Sequence, residues 1–99
     1  MPDQATLLVA DDDAAVRLSL ERALMREGYV VVLAPDAEAA LDRLRQGGID
    51  LLLSDLKMPG LTGLELLKLA KEVAPDVDVI LLTAFGTVEE AVRAMKDGA

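Results

Sequence analysis

Four short apolar runs recur along this chain, and each is followed by a stretch of helical period. Leu7-Leu8-Val9-Ala10, Val30-Val31-Val32-Leu33, Leu51-Leu52-Leu53 and Val79-Ile80-Leu81-Leu82 are long enough for one strand apiece and show no apolar–polar alternation. A strand without alternation is buried on both faces, the situation of a parallel sheet covered by helices. The third run is the most telling. It stops on a single carboxylate, Asp55, and then breaks at Pro59-Gly60. In an open α/β sheet, ligands sit beyond the carboxyl ends of the strands, so Asp55 is placed where such a fold keeps its chemistry. The alternative for Asp55, an acidic residue that merely opens a polar turn, has to be weighed against the rest of the chain.

The segments between the runs read as helices. Val16, Leu20, Ala23 and Leu24 recur at helical spacing, with Arg17, Glu21, Arg22 and Arg26 on the other side and Gly28 just past the last turn. A strand is expected over 29–34, and Pro35-Asp36 opens a second helix over 37–46 with Ala37, Ala40, Leu41 and Leu44 inward. The third strand is expected over 49–54. Thr62-x-x-Glu65 forms a capping box for a third helix with Leu66, Leu67, Ala70 and Val73 as its buried stripe, stopped by Pro75. A fourth strand over 77–83 precedes a second capping box, Thr87-x-x-Glu90, and a fourth helix burying Val88, Ala91, Val92 and Met95. Four βα units with short links imply a doubly wound parallel sheet with helices on both faces.

Composition narrows the function. With 99 residues the chain is read as one domain, 1–99, and with only Tyr29 and Phe85 as aromatics its core must be aliphatic. A net charge of −8 argues against direct contact with nucleic acid or an anionic membrane, and fits a site for a cation or a basic partner. The absence of cysteine and histidine removes disulfides, thiolate metal sites and the commonest general base. Met1-Pro2-Asp3-Gln4 lacks the basic region of a signal peptide and no apolar run could span a bilayer, so a cytoplasmic location is expected.

In a parallel sheet the ends of all strands lie on one edge. Asp11-Asp12-Asp13 follows the first strand, Asp55 ends the third and Thr83 the fourth. Carboxylates gathered there repel one another, and a hard divalent cation relieves them: Mg²⁺ takes oxygen ligands, uses one or two carboxylates and keeps several waters. A carboxylate beside the metal can attack phosphorus and form an acyl phosphate, with the metal and a hydroxyl such as Thr83 stabilising the transferring group. One of the three aspartates, Asp13 by position, is expected to cap the first helix. Thr83 as an ordinary β-branched strand residue and Lys57 as a solvated turn residue remain the plain alternatives.

Leu7-Leu8-Val9-Ala10-Asp11-Asp12-Asp13, Leu53-Ser54-Asp55-Leu56-Lys57-Met58-Pro59-Gly60 and Leu82-Thr83-Ala84 together resemble the signatures of response-regulator receiver domains, over the whole chain. The tail from Thr83 to Val92 resembles the nitrogen-regulation, enhancer-binding type. The resemblance implies a flavodoxin-like sheet of order 2-1-3-4, the fifth βα unit having no counterpart within the sequence. It implies that Asp55 accepts phosphate from a sensor histidine kinase. Asp12, Asp55 and the backbone carbonyl of Lys57 would ligate Mg²⁺, Asp11 would act mainly through water, and Thr83 would be the switch hydroxyl. Lys57 and Phe85 would line the mouth of the site. The family's invariant lysine also has no counterpart, which leaves Lys57 as the nearest cation. The output would be ATPase and DNA-binding domains of a longer protein. A receiver shortened in this way is expected to self-associate through its fourth strand or fourth helix.

Two other functions compete. A phosphatase of the haloacid-dehalogenase type also carries a D-x-D pattern after its first strand, as Asp11-Asp12-Asp13 does, but Ala15 stands where that family has Thr or Val. A receiver-like interaction module that works without phosphorylation is the other.

Overall fold

A computed structural model describes residues 5–55 and 63–82. These form β1 (Thr6–Ala10), α1 (Ala14–Arg26), β2 (Val30–Ala34), α2 (Ala37–Arg45), β3 (Leu51–Asp55), α3 (Gly63–Val73) and β4 (Asp78–Leu82). The four strands make one parallel sheet in the order β2-β1-β3-β4, as the sequence leads one to expect. The first capping box rests on Thr62, which lies outside the described residues, as do Lys57, Thr83, the second box and the fourth helix.

Strand parity divides the core into two layers. Leu7 and Val9 of β1, with Leu51 and Leu53 of β3, face Leu20 and Leu24 of α1. Leu8, Ala10 and Leu52 face the other way, onto Ala37, Ala40, Leu41 and Leu44 of α2 and Leu66 and Ala70 of α3. The inner strands β1 and β3 are therefore apolar on both sides, which is why their sequences lack alternation. On α3, Leu69 joins Val73 against this second layer, a contact the expected stripe did not include.

The helix ends follow from single residues. Asp13 caps α1, its Oδ1 accepting from the amides of Ala15 (2.8 Å) and Val16 (3.3 Å), and Asp36 caps α2 through Ala39 (2.8 Å). At the other end of α1, Gly28 adopts φ +95°, its amide donating to Met25 O and that of Tyr29 to Leu24 O. This paired arrangement satisfies the last carbonyls of the helix. It also explains why β2 starts at Val30 and not at Tyr29: the Tyr29 amide is spent on closing the helix.

The third strand differs by two residues at its start and one at its end. Asp50 turns its carboxylate onto the Thr6 amide (2.8 Å) while its own amide donates to Thr6 O (2.8 Å). The side chain thus replaces a rung of the ladder, and regular pairing begins at Leu51. At the far end Asp55 is still paired, opposite Leu82 of β4. Asp55 is the last residue of the strand, held in the sheet and not in the turn beyond it. Val77 likewise belongs to the α3–β4 turn, where its amide donates to Ala74 O (3.1 Å) and its carbonyl accepts from Lys71 Nζ (2.6 Å).

Candidate functional site

The order β2-β1-β3-β4 reverses direction between β1 and β3. β1 is followed by α1 on one face and β3 by α3 on the other, which makes the carboxyl ends of these two strands the switch point of the sheet, where open α/β folds have their ligand crevice. Asp11 and Asp12 stand just past β1 on one lip, and Asp55 ends β3 on the other. Their carboxylate oxygens lie within 4.8 Å of one another.

Each aspartate reaches this point differently. Asp11 is buried, its amide donating to Ala34 O (3.2 Å) and its Oδ1 accepting from the Asp13 amide (2.9 Å). Asp12 is exposed, and its carboxylate accepts no hydrogen bond among the described residues. Asp55 is half-buried at the strand end. Beneath it the fully buried Ser54 donates its hydroxyl to the Asp55 carbonyl (2.9 Å), which satisfies the one polar side chain that the inner strands bury.

The cluster is electrostatically strained. Burial pushes the Asp11 carboxyl above its ordinary value of 3.8. The hydrogen bond from Asp13 works against that shift, and the charges of Asp55, Asp12 and Asp13 add to it. A divalent cation fits this set. The donors are all carboxylate oxygens, one is fixed and buried, and the exposed side at Asp12 leaves room for waters and further oxygens, as Mg²⁺ requires. Asp13 is not part of the group, because its oxygen is turned onto the helix N-terminus. Of the sequence-predicted site residues, the structure brings together Asp11, Asp12 and Asp55, while Lys57 and Thr83 lie outside the described residues.

One residue at the site escaped the sequence reading. Arg17, assigned there to the polar side of α1, is half-buried and donates from Nη1 to the backbone carbonyl of Asp11 (2.7 Å). Helical side chains lean toward the helix N-terminus, so a long cation one turn into α1 can reach back over the β1–α1 connection. That lean, with a strand end six residues upstream, is the signal that would have found it.

Comparison with known proteins gives the following. Residues 7–99 match the family model described as the response regulator receiver domain. The chain is 41% identical over 95 residues to the response regulator protein FleR of Pseudomonas aeruginosa, covering 96% of this chain and 20% of that protein. It is 43% identical over 91 residues to the DNA-binding transcriptional regulator NtrC of Proteus hauseri, covering 92% of this chain and 19% of that protein. The chain thus spans about a fifth of the length of these relatives. The response regulator TrrA of Thermotoga maritima, solved in complex with Mg²⁺-BeF, superposes with a TM-score of 0.78 at 36% identity, over 84% of this chain and 72% of that one. Among the described residues no helix is long and apolar enough to cross a membrane.

Proposed function

This chain belongs to the response regulator receiver domain family, and from that membership we propose that it is a Mg²⁺-dependent phosphoacceptor whose Asp55 takes a phosphoryl group from a sensor histidine kinase. The observation that carries the reading is the meeting of Asp11, Asp12 and Asp55, from two different strand ends, at the switch point of the sheet.

The Asp55 carboxylate oxygen is the nucleophile. It attacks the phosphorus of a phosphohistidine, the P–N bond breaks with its electron pair returning to the imidazole, and an acyl phosphate forms on Asp55. Pairing of Asp55 with Leu82 and the Ser54 hydrogen bond to its carbonyl hold the attacking group on a rigid strand end. Asp12 and Asp55, with the Lys57 carbonyl, would hold Mg²⁺, and Asp11 would act mainly through water. When bound, the ion supplies positive charge to the transferring phosphoryl oxygens. Thr83 would hydrogen-bond the phosphoryl group, and Lys57 would stand at the mouth of the site. In the longer protein, the phosphorylated state would control a transcription-activating output of the kind named for the relatives, in the cytoplasm.

A phosphatase using Asp11 as nucleophile and Asp13 as acid is disfavoured, since Asp13 is occupied in capping α1. The test is a Mg²⁺ titration with and without beryllofluoride, a phosphoryl mimic of the kind bound by TrrA. Saturable beryllofluoride uptake that requires Mg²⁺ and disappears in Asp55→Asn supports the reading. Mg²⁺ uptake without any response to beryllofluoride would identify a metal-binding module that no longer takes phosphate.

A further inference from the structure

The acidic crevice contains one carboxylate with no anchor of its own. Asp11 is fixed by the Asp13 amide, and Asp55 is fixed by its place in β3. Asp12 is exposed, and its carboxylate accepts no hydrogen bond among the described residues, so within the protein the position and heading of its Cα–Cβ bond, set by the backbone, are what direct it toward the crevice. The peptide that joins Asp12 to Asp11 carries the carbonyl gripped by Arg17 Nη1 at 2.7 Å. The next amide along, that of Asp13, is gripped by Asp11 Oδ1 at 2.9 Å. Asp12 therefore sits between two fixed peptides, and one of the two anchors is the guanidinium of Arg17.

We propose that Arg17 is a positioning residue for Asp12: by holding the Asp11 carbonyl it aims the Asp12 carboxylate into the crevice shared with Asp11 and Asp55, and so sets the affinity of this site for a divalent cation. The inference rests on the reading that these three carboxylates hold such a cation. It assigns to Arg17 a role opposite in sign to that of its charge. A cation this close to the crevice repels Mg²⁺, so an electrostatic role alone makes removal of Arg17 tighten Mg²⁺ binding. A positioning role makes removal weaken it. Groups that orient a metal's ligands commonly alter affinity by about tenfold or more when removed.

Calorimetric titration of the whole chain with MgCl₂ separates the two. Arg17→Ala should weaken Mg²⁺ binding about tenfold. Arg17→Lys, which keeps a cationic donor but loses the planar fork, should fall between. Arg22→Ala, which removes the same charge from an exposed position on the same helix, should change affinity by less than about twofold. In an Asp12→Asn background, Arg17→Ala should add little further loss, because the group it aims is already impaired. Far-UV circular dichroism of each variant fixes a temperature at which it is folded, and Arg17→Lys carries the test should Arg17→Ala not fold. Unchanged or tighter binding in the Arg17 variants overturns the proposal, as does an equal loss with and without the Asp12 carboxylate. A wild-type chain with no saturable Mg²⁺ uptake overturns the metal-site reading itself, and the proposal with it.

Discussion

Asp11 and Asp55 stand side by side one residue beyond the last β1–β3 pair, Ala10 opposite Ser54. Both continue the parity of the residues that face α1, Leu7 and Val9 on one strand and Leu51 and Leu53 on the other. Two buried apolar strands in parallel register thus carry two carboxylates to facing lips of the same crevice, within 4.8 Å of each other and of Asp12. The repulsion among them is built into the fold, and it has measurable consequences.

The first concerns pH. The Asp11 carboxyl titrates above 3.8 in the folded chain and near that value when unfolded, so between the two the folded state binds more protons. Its contribution to stability therefore falls as pH rises through that window, and above it Asp11 opposes folding. Asp11→Asn keeps an oxygen to accept from the Asp13 amide and removes the charge. Urea unfolding in metal-free buffer at pH 7 should find Asp11→Asn more stable than wild type, with the difference shrinking toward acid. A less stable variant at neutral pH would mean that the buried charge is already compensated.

Mg²⁺ should work against that order. Binding to the folded state alone adds about 1.4 kcal/mol at a cation concentration ten times Kd. The gain should be present in wild type, reduced in Asp11→Asn and smallest in Asp55→Asn, with EDTA restoring the metal-free midpoint. Thermal melts with and without the cation read this directly.

Most of the fold was legible in the chain, and the reasons are local. Continuous apolar runs at Leu7–Ala10 and Leu51–Leu53 can be satisfied only by strands covered on both faces, and Asp13, Asp36 and Gly28 mark helix ends through their own capping chemistry. What could not be read were bonds that cross between elements. The start of β3 depends on Asp50 folding back onto Thr6, and the role of Arg17 depends on its reach to Asp11; both link residues whose spacing carries no period. The site was legible as far as parity and strand order place it: Asp11, Asp12 and Asp55 follow from which strands end together.

Leu8 tests the core. It is fully buried in the layer that α2 and α3 cover, and Leu8→Ala should cost about 2–5 kcal/mol by chemical denaturation. A cost below about 1 kcal/mol would contradict the close packing of β1 between its two helical layers.

Two end-caps flank the β1–α1–β2 path and should separate stability from metal binding. Asp13→Ala removes the acceptor for the Ala15 and Val16 amides and should cost about 1 kcal/mol. Gly28→Ala forces a side chain into φ +95° and should cost about 1 kcal/mol through strain. Gly28 lies at the far end of α1 from the crevice, so Gly28→Ala should leave Mg²⁺ affinity unchanged in calorimetric titration.

The most direct measurement locates the phosphoryl group itself. The chain is incubated with acetyl phosphate and Mg²⁺, the acyl phosphate is reduced with borohydride, and the altered aspartate is mapped by peptide mass spectrometry. The account predicts modification at Asp55 alone, lost without Mg²⁺ and lost in Asp55→Asn. Modification at Asp11 or Asp12 with Asp55 untouched would contradict it.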